Sequence, residues 1–194
     1  MEDRTNELME RAYTCACAAG FHGKPLSVEH MLMLVLCEVG EAIEADKSGR
    51  YVDISTLSSS TFHKCNVFFL ENYTLCVKDT VGDELADVCI RMYDMCGAFG
   101  IVPCVEYDSM VEDFNAIFGS DSFVERMYYL SRMLCSTSGQ IMDDGTDECL
   151  PNVLGQSLSF VFAMCNAMGI SLITHIETKM DFNETRLNMH SKKN

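Results

Sequence analysis

Two pairs of acidic residues interrupt segments that otherwise have the apolar pattern of buried helices. Glu38 and Glu41 form the first pair, and Glu84 and Asp87 form the second. The acids of each pair are three positions apart, which on a helix places them side by side on one face. If the two helices pack together, four carboxylates share a small volume, where two charges about 4 Å apart repel by about 4 kcal/mol at an effective dielectric of about 20. Such a cluster requires protons or cations, and hard divalent cations prefer oxygen ligands.

The ordinary place for helix carboxylates is a solvated face, and two observations argue against it here. The flanking segments 31–37 and 85–90 are strongly apolar. Three of the acids also lack a basic partner four positions later, where the residues are Ala42, Ala45 and Val88. Glu44 continues the register of Glu41, either as a fifth acid of the cluster or as a solvated neighbour. The pattern favours a metal site over a solvated face.

Helix signals cover most of the chain. Ser27 is a typical N-cap, and glycines follow several apolar stripes. Strand signals are confined to the short segments 66–70 and 101–105, and the polar stretches 53–61 and 143–148 are predicted as loops. We therefore predict an all-α fold, a bundle of antiparallel helices. The expected helices cover about 2–19, 27–46, 62–77, 79–99, 106–117, 121–136, 152–168 and 171–187.

One short segment recurs along the chain. Residues 95–101 resemble residues 164–170, which lie 69 positions later. At this offset, Glu84 and Asp87 correspond to Val153 and Gln156, so a second copy would have lost the acids. The similarity indicates either a degenerate internal repeat or two unrelated helix ends of similar sequence.

Length and charge limit the class of protein. With 194 residues, the chain fits one domain. The net charge of −15 and the lack of a basic stripe argue against polymeric nucleic acid as a partner, whereas a free nucleotide that carries magnesium remains compatible. No apolar run reaches the length of a membrane span and no leader pattern is present, so we expect a cytoplasmic protein without membrane contact.

The chain has 11 cysteines but no Cys-x-x-Cys motif. Several cysteines have apolar neighbours, as Cys89 and Cys165 do. This pattern predicts reduced, buried thiols that act as small apolar side chains.

A second candidate site lies near the C-terminus. Lys179, Asn183 and Arg186 recur at the spacing of one helical face. Lysine and arginine can neutralise phosphates, and asparagine can contact a base or a sugar. A solvated polar face is the alternative interpretation.

These motifs together resemble a known family. The segments Glu38–Arg50 and Gly82–Arg91 resemble the Glu-x-x-Glu and Glu-x-x-Asp motifs of MazG-like all-α NTP pyrophosphohydrolases, relatives of the dimeric dUTPases. Lys179–Arg186 is similar to a Lys-x-x-Tyr-Asn-x-x-Arg stretch of some MazG-like proteins, with Phe182 in place of the tyrosine. The resemblance covers about 27–101 and 170–190.

The resemblance implies a single MazG-like domain over 1–194, with a metal-motif half (27–101) and a second helical half (103–190). It implies hydrolysis of a nucleoside triphosphate to the monophosphate and pyrophosphate in nucleotide-pool housekeeping, by a homodimer or homotetramer. The implied catalytic and metal-binding residues, with Mg²⁺ or alternatively Mn²⁺, are Glu38, Glu41, Glu84 and Asp87. The implied substrate-binding residues are Lys179, Asn183, Arg186, Lys47 and Arg50. A non-catalytic helical interaction protein that retains the MazG fold is the alternative.

Overall fold

The computed structural model describes residues 2–52, 62–64, 67–103, 105, 107–136 and 149–191. Within these residues it contains eight helices and no strand, which confirms the all-α prediction. The helices are α1 (Glu2–Ala18), α2 (Val28–Lys47), α3 (Phe69–Cys76), α4 (Val81–Phe99), α5 (Tyr107–Phe118), α6 (Phe123–Cys135), α7 (Cys149–Ala167) and α8 (Leu172–Ser191).

The predicted boundaries were wrong at the junction before α4. We expected one helix over 62–77 and the next from Asp79, but α3 begins only at Phe69 and α4 begins at Val81. Asp79 has a positive φ of 61°, a left-handed conformation that cannot continue a helix. Neither tentative strand forms among its described residues, and the predicted loops 53–61 and 143–148 lie outside the described residues.

Both copies of the recurring segment lie at helix ends. α4 ends at Gly100, whose φ is +65°, and the N–H of Ile101 donates to the carbonyl of Cys96 at 2.9 Å. After α7, Gly169 has a φ of +71°, and the N–H of Ile170 donates to the carbonyl of Cys165 at 2.8 Å. Both segments therefore form the same left-handed glycine cap.

The central element of the bundle is α4, which packs against α1, α2, α7 and α8. Buried residues occur on most of its surface, and 13 of its 19 residues are buried. Its apolar side chains join the main core, whereas Asp83, Glu84 and Asp94 are acids in the interior. Because an unpaired buried charge is costly, these acids must be protonated or paired with hydrogen-bond donors or cations.

A small separate core fastens α3 to α8. It consists of Phe62, Phe69, Tyr73, Val77 and Phe182. The rings of Tyr73 and Phe182 stack with centroids 4.2 Å apart, an arrangement that adds to their burial. This packing fixes the Tyr73 hydroxyl beside the first turn of α4.

The helices α5 and α6 pack against α7. Phe114 and Phe118 of α5 contact Phe160 of α7, with ring centroids 5.4 Å and 5.2 Å from it. α6 lies between α7 and α2, and so connects the two halves of the bundle. No single described helix is long and apolar enough to cross a membrane; α7 and α8 pass that test only as a pair, bent by 111°.

The prediction that the cysteines are buried was wrong for most of them. Nine cysteines lie in the described residues, and all nine are free thiols. Only Cys89, Cys96 and Cys165 are buried, and Cys15 is half-buried. The other five are exposed, because apolar neighbours in sequence do not determine which face of a helix a residue occupies.

Candidate metal centre and adjoining cavity

α2 and α4 bring three of the predicted acids together. One carboxylate oxygen from each of Glu38, Glu84 and Asp87 lies within 4.8 Å of the others. The helices run antiparallel, since the N–H of Val81 at the start of α4 donates to the carbonyl of Arg50, just beyond the end of α2, at 2.9 Å. Antiparallel packing allows two acid pairs with the same spacing to meet across the interface.

Glu41 lies outside this three-carboxylate cluster. It is exposed on α2, although it is close enough to Glu84 to contribute to the raised pKa of that residue. Glu44 is also exposed and pairs with Lys47 at 2.8 Å, as a solvated neighbour does. The structure therefore groups three of the four predicted ligands.

Burial disfavours the charged form of two members of the cluster. It raises the pKa of Glu84 to about 8, with Asp83 adding to the shift and Lys179 opposing it. Burial likewise raises the pKa of Asp87 to about 7, against the opposing effect of Lys179. A cation beside these carboxylates would relieve the cost of ionising them.

The carboxylate of Asp83, completely buried, holds Lys179 in place. Nζ of Lys179 lies 3.0 Å from Oδ2 of Asp83 and 2.5 Å from Oδ2 of Asp87. The Tyr73 hydroxyl donates to Oδ1 of Asp83, and the backbone N–H of Asp79 donates to Oδ2 at 3.0 Å. Burial alone would lower the pKa of Lys179, but Asp87 and Asp83 outweigh it and raise that pKa, so the ammonium is charged.

Arg91 connects the acidic cluster to an aromatic ring. Its Nε donates to Oε1 of Glu38 at 3.0 Å, and its guanidinium carbon lies 5.2 Å from the ring centroid of Phe21. Arg91 follows Asp87 by four positions, the spacing of a pair within one helix, yet its partner is on α2. The ion pair therefore depends on the packing of α2 against α4.

A cavity of about 270 Å³ adjoins the cluster, between α1, α2, α4 and α8. The residues predicted on the C-terminal face, Lys179, Asn183 and Arg186, all line it. It therefore brings carboxylates and cations into one volume. The other charged residues of its lining are Glu38, Asp87, Arg91 and Asp94.

The structure places Lys47 and Arg50 elsewhere. Lys47 pairs with Glu44, and the guanidinium of Arg50 lies 3.9 Å from a carboxylate oxygen of Asp79. Neither residue belongs to the cavity lining. Lys47 follows Glu38 by nine positions, which on a helix is about 13 Å further along the axis.

Several cavity and network residues had no role in the sequence prediction. They are Tyr73, Asp83, Arg91, Asp94 and Phe21. Part of this set has a signal in the sequence, because Asp87, Arg91 and Asp94 recur at the spacing of one helical face. Tyr73 and Asp83 have no such signal, since their contact depends on the positive φ of Asp79 and on the packing of α3.

The chain matches no protein-family model, no curated protein and no solved structure. The resemblance to MazG-like enzymes therefore depends on the acidic pairs and the C-terminal face. Chemically, the arrangement offers an oxygen-only donor set beside a cavity with three cations, Lys179, Arg91 and Arg186. This combination suits a divalent cation together with a polyanion.

Proposed function

We propose that this protein is a divalent-metal-dependent nucleoside triphosphate pyrophosphohydrolase. One observation carries the proposal: carboxylates of Glu38, Glu84 and Asp87 converge within 4.8 Å, and two of them, Glu38 and Asp87, line a cavity together with Lys179, Asn183 and Arg186. The reaction is attack of water on the substrate, which yields a nucleoside monophosphate and pyrophosphate.

The donor set fits Mg²⁺ or Mn²⁺. The three ligand groups are carboxylates, and hard divalent cations take oxygen ligands in preference to nitrogen or sulfur. When bound, such an ion supplies neutralisation of phosphate charge and a lowered pKa for a bound water. The raised pKa values of Glu84 and Asp87 support this fit, since both groups gain from a neighbouring cation.

The cations of the cavity would bind the phosphates. Lys179 is held by Asp83 and Asp87 with its ammonium at the cavity wall, so it is positioned before a ligand arrives. Arg186 is exposed at the same wall and can follow a mobile phosphate chain. Asn183, one turn before Arg186, can donate to or accept from the nucleoside. A protein with a net charge of −15 needs such local cations to attract a polyanion.

The test is an assay of pyrophosphate release from the canonical NTPs and dNTPs with Mg²⁺ and with Mn²⁺. We expect Glu84→Gln to lower the rate at least about 100-fold, because it removes a carboxylate that would hold the metal ion. Glu44→Gln is the matched control on α2, and we expect the wild-type rate from it. No release by the wild-type protein, or full activity of Glu84→Gln, would overturn the proposal.

A non-catalytic interaction protein is the second candidate function. The observation that favours it is that Arg91 pairs with Glu38 and Lys179 pairs with Asp87, so two of the three carboxylates have a cation without a metal. Calorimetry with Mg²⁺ and a non-hydrolysable triphosphate separates the two candidates. The enzyme binds the triphosphate more tightly with Mg²⁺ than without it, whereas a non-catalytic protein shows no such dependence.

A further inference from the structure

The cavity extends well beyond the acidic cluster along α4. Asp87 and Asp94 both line it, and they are seven residues apart on one helix. Seven residues correspond to two turns and a separation of about 10 Å along the axis. A ligand whose phosphates lie at Asp87 therefore brings its far end to Asp94.

Asp94 is a buried acid on the wall of this cavity. It is 5% exposed, and Oδ1 lies 2.7 Å from Nε2 of His22. Within the described part of the chain, His22 is its hydrogen-bond partner, and the contact engages Oδ1 only. The ring of His22 in turn lies 5.0 Å from that of Tyr13 on α1, which fixes its orientation. The carboxylate also feels the positive charge of Arg91, and because Asp94 lines the cavity it can accept a hydrogen bond from a ligand there.

Flat groups lie next to Asp94. Phe21 adjoins His22 in sequence, lines the cavity and is half-exposed, and the guanidinium of Arg91 lies 5.2 Å from its ring centroid. Nucleobases stack on aromatic rings and on guanidinium planes. A stacking surface and a fixed acceptor at one end of a phosphate-binding cavity are the two parts of a base-binding site.

We propose that Asp94, oriented by His22, selects nucleoside triphosphates whose base carries an exocyclic amino group. This inference rests on the proposed function, because it assigns the base to the far end of the same cavity. A carboxylate only accepts hydrogen bonds, so it pairs with the amino groups of cytosine, adenine or guanine. Uracil and thymine carry a carbonyl oxygen where cytosine carries its amino group, and this oxygen repels the carboxylate, so their one ring N–H is a poorer partner for Asp94.

The experiment compares base preference in matched variants. We measure kcat/KM for CTP, ATP, GTP and UTP with Mg²⁺, and also the binding of the non-hydrolysable analogue of each. We expect the wild-type protein to prefer at least one amino-bearing nucleotide over UTP by about 10-fold or more. Asp94→Asn replaces an acceptor with an amide that can also donate, so we expect this preference to fall to within about threefold.

Three further variants separate base recognition from structural damage. His22→Gln retains an N–H donor for Oδ1 and should keep much of the preference, whereas His22→Ala should lose it. Asp121→Asn, in the turn between α5 and α6, is the matched control and should keep the wild-type preference. Melting temperatures of all variants identify any that fail to fold, and in that case the wild-type preference and His22→Gln still test the proposal.

The outcomes distinguish this inference from the proposed function. Pyrophosphate release without base preference, or an unchanged preference in Asp94→Asn, would overturn base selection alone. If the protein binds amino-bearing nucleotides more tightly than UTP but hydrolyses none of them, the enzymatic function is overturned and base selection is supported. If the protein neither binds nor hydrolyses any of the four nucleotides, both the proposed function and base selection are overturned.

Discussion

The ammonium nitrogen of Lys179 lies 3.0 Å from Oδ2 of Asp83, a fully buried carboxylate that precedes it by 96 residues. The same ammonium contacts Asp87. This shared ion pair links α8 to α4 beside the acidic cluster. Both the stability of the fold and the geometry of the candidate site therefore depend on it.

Removal of the Lys179 charge should be strongly destabilising. Lys179→Met keeps the length of the side chain but leaves Asp83 buried without its cation, so we expect the free energy of unfolding to fall by about 3–5 kcal/mol. Lys47→Met is the control, because the exposed Lys47–Glu44 pair should contribute less than about 1 kcal/mol. Urea unfolding of both variants measures the difference. Equal losses would contradict the assigned role of Lys179.

The buried hydroxyl of Tyr73 should also contribute to stability. Tyr73→Phe removes a donor to Asp83 without changing the stacking on Phe182, and we expect a loss of about 1–3 kcal/mol. Tyr51→Phe removes a comparable hydroxyl that contacts Asp46 at 2.5 Å on the exposed surface. We expect that control to change stability by less than about 1 kcal/mol, as measured by the same unfolding curves. The prediction fails if the two variants are equally stable.

Two glycine substitutions should change the stability of the protein in opposite directions. A Cβ added at Gly82 would lie 2.3 Å from Cε1 of the buried His175, so Gly82→Ala must displace the His175 ring or the helix that carries it. A Cβ at Gly40, on the exposed side of α2, would meet nothing within 4 Å. We expect Gly40→Ala to stabilise by about 0.5–1 kcal/mol through helix propensity and Gly82→Ala to destabilise by about 1–3 kcal/mol. Thermal unfolding of both proteins tests the pair, and a stabilising Gly82→Ala would contradict the observed packing.

His175 should make the protein less stable in acid. Burial lowers its pKa from 6.5 to about 4, against the opposing effect of Asp83. Between these two values the unfolded chain binds a proton at His175 and the folded chain does not, so stability falls as pH decreases through this window. The expected contribution is about 3 kcal/mol in total, and it is absent above the unfolded pKa.

The measurement compares unfolding free energies of the wild-type protein and His175→Gln at several values between about pH 7.5 and about pH 4.5. The unfolding free energy of the wild-type protein minus that of the variant should decrease as pH falls, because only the wild-type protein contains the titrating imidazole. Other buried acids, such as Glu84, act equally on both proteins and cancel in this difference. Parallel curves for His175→Gln would contradict the prediction.

The sequence predicted the helices well because helix formation is local. Ser27 caps α2 by accepting from the N–H of His30 at 3.3 Å, and Gly100 terminates α4 with a positive φ, as their residue types indicate. The expectation failed at Asp79, whose left-handed conformation is rare for a residue other than glycine. The same periodicity placed Lys179, Asn183 and Arg186 on one face, and that face lines the cavity.

The membership of the acidic cluster was only partly predictable. The spacing of three positions indicates that Glu38 and Glu41 share a face of α2, but the packing of α2 against α4 decides that Glu38 joins the cluster and Glu41 does not. Asp83 precedes Glu84 by one position, and its sequence neighbours do not show that it would be the buried partner of Lys179. Burial and pairing arise from contacts between segments far apart in the chain.

By itself, the sequence determined the helical architecture, the helix ends and the side of each helix on which the candidate residues lie. These properties follow from backbone preferences and from the 3.6-residue period, which act over a few residues. The tertiary structure alone decided which acids converge, that Arg91 pairs with Glu38, and that Asp94 and His22 meet at the far end of the cavity. Those relationships depend on how the helices pack together, and packing is determined by the whole chain rather than by any one segment.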